Sequence, residues 1–181
     1  MRAFITGLAG PVLTAEERQF LKDAEPWGVI VFQRNITEPN ALHRLIGDVR
    51  DALGRSTPVL VDQEGGRVQR LGPPHWPAYP PGAAYGALYD LDGAVGLQAA
   101  KLGARLIAAD LAALGIDVDC LPIADVPVAG ADPIVGDRAY GTEPGKVAAI
   151  AGAIAAGLEL FRQGEEIGES TALSDPGAPN R

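Results

Sequence analysis

Residues 28–66 read GVIVFQRNITEPNALHRLIGDVRDALGRSTPVLVDQEGG. Gly28 to Phe32 is apolar throughout, as a strand buried on both faces should be. Thr37-Glu38-Pro39 opens a helix, since Pro is tolerated in a first turn. Leu42, Leu45, Ile46, Val49 and Leu53 recur at helical spacing and form its buried stripe. Gly54 is placed to end that helix. Pro58 to Asp62 is a second apolar run. Strand, helix and strand in this order predict parallel strands joined by a crossover helix.

The same alternation continues in both directions. Towards the N-terminus, Ala3 to Gly7 reads as a strand, and Thr14-Ala15-Glu16-Glu17 matches a capping box ahead of Phe20, Leu21 and Ala24. Towards the C-terminus, LGPPHWPAYPPGAAYG (71–86) is a long loop rich in Pro and aromatics, and loops of that length are usually functional. A helix from about Asp92 to Leu114 follows and ends at Gly115. Ile116 to Cys120 is a fourth strand, and a second loop runs from Pro122 to Gly141. Thr142-Glu143-Pro144 repeats the earlier helix opening, with Val147, Ile150, Ile154 and Leu158 as the apolar stripe.

The predicted order is βαβαβαβα, an α/β fold with parallel strands. An open doubly wound sheet fits it, and so does part of a (β/α)₈ barrel. A full barrel typically takes about 250 residues, whereas this chain has 181 and supplies about four βα units. The first domain is drawn as residues 1–158. From Glu159 the sequence becomes ELFRQGEEIGESTALSDPGAPNR, where apolar periodicity stops, so residues 159–181 are read as a polar, disordered tail with no fifth strand.

A net charge of −8 disfavours nucleic acid and anionic membranes as partners, because both reward clustered Lys and Arg. It leaves a neutral ligand open. The single cysteine, Cys120, excludes an internal disulfide and a multi-Cys metal site; it is read as a buried strand residue. The N-terminal apolar stretch is short and broken by Gly7, Gly10 and Pro11, unlike a signal peptide. No stretch approaches the roughly 18–20 apolar residues of a membrane span. A cytoplasmic location is the expectation.

Chemistry is concentrated after the third strand, in Val61-Asp62-Gln63-Glu64-Gly65-Gly66-Arg67-Val68-Gln69-Arg70. Ligands bind at the C-terminal ends of strands in such folds. Asp62 and Glu64 would share a face if the strand continued. Gly65 and Gly66 let the backbone turn sharply, and Arg67 and Arg70 can pair with the carboxylates or donate to a ligand. A salt-bridged turn that only holds the loop fits these residues equally. Phosphate binding is disfavoured by the two acids and the absence of a phosphate-loop motif. A metal at Asp62 and Glu64 lacks neighbouring ligands, so neither metal nor cofactor is expected. Arg138, in the second loop, could reach a ligand at the same end or be tied to Asp137 or Asp132. Asp125 is assigned to bracing loop backbone. His43 is a helix-flank residue, and His75 is a candidate for the pocket wall.

These residues carry a family resemblance. VDQEGGRVQRL (61–71) resembles the signature of the glycoside hydrolase family 3 β-N-acetylhexosaminidases, and WGVIVFQRNI (27–36), IDVDCLPIADV (116–126) and GDRAYGTEP (136–144) agree with it in order and spacing. The resemblance implies a (β/α)₈ barrel enzyme that removes terminal N-acetylglucosamine, in bacteria mainly from peptidoglycan fragments during wall recycling. It implies that Asp62, Arg70 and Arg138 hydrogen-bond the sugar in the −1 subsite.

It also implies a catalytic His in a KHxPGHG loop and an Asp nucleophile at a later strand end. This sequence has neither. Its two histidines are His43 and His75. Ser174-Asp175 imitates the nucleophile dipeptide but has no strand before it. The sequence therefore predicts the N-terminal half of such a hydrolase, inactive by itself, from a truncated or frame-shifted gene product or a deliberately shortened chain. The alternatives are a non-catalytic sugar-binding module and a non-functional fragment. Strands left open at the sheet edges predict self-association.

Overall fold

The computed structural model describes residues 1–130 and 132–168, with side chains described through residue 159. The strands are β1 (Arg2–Gly7), β2 (Pro26–Val31), β3 (Val59–Val61), β4 (Gln63–Gly65), β5 (Val68–Gln69) and β6 (Val118–Asp119). The helices are α1 (Ala15–Ala24), α2 (Pro39–Leu53), α3 (Gly82–Leu91), α4 (Gly93–Ala112) and α5 (Pro144–Gly168). The main sheet has the order β1-β2-β3-β6, all parallel, and β4 and β5 form a separate antiparallel hairpin.

Sequential strands lie side by side, so the sheet grows in one direction. That is the order of a (β/α)₈ barrel wall, and it excludes the reversal of a doubly wound sheet. Val29 pairs with Val59 and Val31 with Val61. These four are buried with Leu21 of α1, Leu42, Leu45 and Val49 of α2, and Ile107 and Leu111 of α4. A second cluster joins α3, α4 and α5 through Tyr85, Ala104, Val147, Ile150 and Ile154.

The local signals for α1 and α2 are realised. Glu17 N donates to Thr14 Oγ1 at 3.1 Å and Thr14 N to Glu17 Oε2 at 3.0 Å, closing the capping box. Pro39 starts α2, and Gly54 ends it at φ 64°.

Other expectations need correction. The last part of the predicted 71–86 loop is helical, because α3 begins at Gly82. Asp92 does not begin the next helix; its carboxylate caps α4, accepting from Ala94 N at 2.9 Å and Val95 N at 3.1 Å. The predicted fourth strand, Ile116 to Cys120, contracts to Val118–Asp119. Backbone bonds from Asp117 N to Val59 O and from Cys120 N to Val61 O, each 3.0 Å, still bracket it. Cys120 is exposed rather than buried, since it stands where the chain leaves the sheet. Val59 to Val61 are all buried. The last helix extends past Leu158 to Gly168, and residues 169–181, including Ser174 and Asp175, lie outside the described residues.

Candidate functional site

The C-terminal end of the parallel sheet carries the candidate site. β3 stops at Val61, Asp62 leaves the ladder, and the chain enters the β4–β5 hairpin at once. The two turn glycines are required there. Gly65 has φ 90° and Gly66 φ 59°, the left-handed region that side chains avoid. A Cβ on Gly65 would also strike the Pro80 carbonyl, and one on Gly66 would lie 2.7 Å from Pro81 Cβ. The Pro-rich loop therefore lies on the hairpin. Gly66 N donates to Tyr79 O at 2.9 Å, and Tyr79 N to Gln69 Oε1 at 2.9 Å. The phenol of Tyr79 donates to Asp110 at 2.6 Å; burial first, and then this bond, raise it far above the ordinary range.

Gln63 is the hub of the hairpin. It is fully buried. Its Oε1 accepts from Arg70 N at 3.0 Å and Leu71 N at 2.9 Å, and its Nε2 donates to Leu71 O at 2.8 Å. A buried amide that fills its hydrogen bonds in this way fixes both strands of the turn.

Two ion pairs stand on this frame. Arg70 Nη2 donates to Asp62 Oδ2 at 2.7 Å, while Arg70 Nε is buried without a partner. Burial works to raise the Asp62 carboxyl. Hydrogen bonds from Arg70 and Cys120, with the charges of Arg70 and Arg138, outweigh it and hold the group below the usual carboxylate range. The second pair is bidentate: Arg138 Nε and Nη2 donate to Glu64 Oε2 and Oε1, both at 2.7 Å. The bond to Glu64 keeps Arg138 firmly protonated, and the Glu64 side chain is only 6% exposed.

The sequence-predicted residues Asp62, Arg70 and Arg138 thus come together from three segments. Arg138 is tied to Glu64, not to Asp137 or Asp132. Asp137 instead accepts from Arg67 Nε at 3.0 Å, and Arg67 also donates to the carbonyls of Ile134 and Val135. Arg67 thereby straps the hairpin to the second loop. Asp132 caps Ile134 N at 2.9 Å. Asp125 is exposed and adds negative charge near Arg138. His43 is exposed on α2. His75 is exposed, meets Trp76 edge-on at 5.7 Å, and lines a recess of about 150 Å³ that also touches Arg70 and Gln69.

Two groups escaped the sequence reading. Gln63 reads as a spacer between two acids. Asp119, in the alternation Asp117-Val118-Asp119, is placed under the hairpin, where Oδ1 accepts from Gln63 N at 3.0 Å. Burial first, then the charges of Glu64 and Asp62, push its carboxyl up to about 7 against its hydrogen bonds. Cys120 is pushed up to about 12 by local desolvation and by its bond to Asp62, so it is a thiol and not a nucleophile at neutral pH. Among the described residues no three His, Cys, Asp or Glu side chains cluster as metal ligands, and no helix is long and apolar enough to cross a membrane.

Residues 6–167 match the glycosyl hydrolase family 3 N-terminal domain. The chain is 39% identical over 151 residues to a beta-hexosaminidase of Methylococcus capsulatus, an alignment spanning 83% of this chain and 43% of that protein. It is 34% identical over 175 residues to a beta-hexosaminidase of Xanthomonas campestris, covering 94% of this chain and 52% of the relative. The crystal structure of NagZ from Neisseria gonorrhoeae in complex with N-trifluoroacetyl-D-glucosamine superposes with a TM-score of 0.81 at 32% identity, over 87% of this chain and 47% of that one. The chain spans about half the length of the curated relatives it matches.

Proposed function

The chain belongs to glycosyl hydrolase family 3, and from that premise we propose that its 181 residues form the sugar-holding part of a β-N-acetylhexosaminidase site without the groups that break the bond. One observation carries this reading. At the C-terminal end of a parallel sheet, Asp62 and Arg70 pair at 2.7 Å with their side chains 22% and 27% exposed, so the pair is reachable from solvent. A guanidinium beside an ionised carboxylate offers donors and an acceptor to vicinal sugar hydroxyls. Arg138, anchored through Nε and Nη2, keeps Nη1 for the same sugar.

The ligand in this reading is a terminal β-N-acetylglucosamine residue, of the kind carried by peptidoglycan fragments in the cytoplasm during wall recycling. It needs no metal or cofactor. Retaining hydrolysis of this family's kind needs a nucleophilic carboxylate and an acid/base opposite each other across the scissile bond. Asp62 is committed to Arg70 and Glu64 to Arg138, which leaves neither free for that role. In the domain division that goes with this reading, residues 1–158 carry the site. The outer edges of β1 and β6 have no strand partner among the described residues, and such edges promote pairing between chains. Self-association is part of the proposal, and sedimentation velocity checks it.

The test of the binding reading is an NMR titration of the 181-residue chain with N-acetylglucosamine. Saturable shifts centred on Asp62 and Arg70, lost in Asp62→Ala and Arg70→Ala, support it. Binding that survives both substitutions places the sugar elsewhere.

A further inference from the structure

Asp119 closes β6, and its two oxygens are treated differently. Oδ1 accepts from Gln63 N at 3.0 Å, whereas Oδ2 is shielded from solvent and unpartnered. The last rung of the β3–β6 ladder is Cys120 N to Val61 O at 3.0 Å. Beyond it, Gln63 pairs with Gln69 in the hairpin, and its N–H turns to the Asp119 side chain as acceptor. The Gln63 side chain in turn holds the backbone of Arg70 and Leu71. Asp62 is the residue immediately before Gln63. Both members of the Asp62–Arg70 pair therefore hang on Gln63, and the Gln63 backbone hangs on Asp119.

We propose that Asp119 is a positioning residue that sets the geometry of the Asp62–Arg70 pair through Gln63 without touching the sugar. The proposal rests on the sugar-binding reading above. A carboxylate in a shielded place costs more than an amide or an apolar side chain of similar shape, so structural filling alone does not call for an acid here. What the acid adds is a hydrogen bond to Gln63 N whose strength follows its charge, because an ionised acceptor binds an N–H more strongly than a neutral one. The groups that face it are Asp62 and Glu64, whose own partners are Arg70 and Arg138, together with Cys120 and Tyr140. Asp117 and Glu159 of α5 line the same groove. Burial and the two acids place the ionisation of Asp119 at about 7, within reach of a mild pH series.

The test uses the whole 181-residue chain, with backbone amides and arginine side chains labelled with ¹⁵N. In the wild type, the Gln63 amide proton shifts downfield as pH rises through about 7, and Arg70 Nε follows with the same midpoint. In Asp119→Asn, which keeps the shape and one acceptor, both signals are flat. Asp119→Leu weakens N-acetylglucosamine binding about tenfold or more, while Asp119→Asn restores most of it. A Gln63 amide that does not titrate in the wild type, or titrates as strongly in Asp119→Asn, overturns the proposal. So does Asp119→Leu binding the sugar as well as the wild type. If the wild type binds no sugar, the functional reading fails by itself. The coupled titration of Gln63 and Arg70 still decides whether Asp119 positions the pair, and it does so even if Asp119→Leu does not fold.

Discussion

The Asp62–Arg70 and Glu64–Arg138 pairs are made of the same kinds of group at the same 2.7 Å, their acids two residues apart, yet they are held differently. Glu64 is buried and gripped by both prongs of its arginine. Asp62 is reached by one prong, its side chain is 22% exposed, and its partner keeps an orphaned Nε. A closed bidentate pair is satisfied and ties the second loop to the hairpin. An open pair is unfinished and suited to a ligand. The difference comes from direction: Glu64 points under the loop that carries Arg138, and Asp62 stands at the exit of β3. Charge and spacing in sequence do not separate the two.

The sharpest contrast is in chemistry. If neither pair can supply a nucleophile, turnover of an aryl N-acetyl-β-glucosaminide stays at background, against the million-fold or greater accelerations ordinary for enzymes. A rate that Asp175→Ala abolishes would break the account.

The next largest effect is on stability. Glu64→Leu leaves Arg138 facing the site without its partner and costs about 3 kcal/mol in denaturant unfolding, as removal of one member of a buried pair does. Asp62→Ala or Arg70→Ala, in the open pair, costs under about 1 kcal/mol but abolishes sugar binding. Equal stability losses at the two pairs would erase the distinction drawn between them.

Acidity separates them further. Asp62, held below its usual range, contributes stability that is present above its unfolded value and is lost as pH falls through the folded one. Asp119 has the opposite sign. Its folded form holds a proton up to about 7, so its contribution is full below the unfolded value near 4 and is lost as pH rises through 7. Asp119→Asn should therefore gain on the wild type by about 4 kcal/mol between pH 4 and pH 8, read from unfolding curves at each pH. A gap that narrows with pH would contradict the assignment. The smallest effect is at Arg67, whose pair with Asp137 is half exposed: Arg67→Ala should change stability by under about 0.5–1 kcal/mol, while loosening the second loop in hydrogen exchange.

The sequence resolves the frame better than the site. Thr14 to Glu17 and Pro39 to Gly54 are decided by bonds within a few residues, so local pattern reveals them. Gly82 to Gly86 was hidden among prolines, because α3 is held by packing against α4 and α5 through Tyr85. Asp62, Arg70 and Arg138 are singled out by the resemblance, and the βαβ order accounts for their lying at one end of the sheet. Glu64 as the partner of Arg138 could not be selected from sequence, because that bond crosses most of a hundred positions in sequence and depends on which way a hairpin turns. Gln63 and Asp119 were missed for the same reason: their work is hydrogen bonding to backbone that only the fold brings near.

The most direct measurement is arginine side-chain NMR of the chain titrated with N-acetylglucosamine at pH 6. A saturable shift is expected at Arg70 Nε as its guanidinium takes up the sugar, beside a near-stationary Arg138 Nε, already committed to Glu64. A stationary Arg70 Nε alongside a moving Arg138 Nε would reverse the roles of the two pairs and contradict the account.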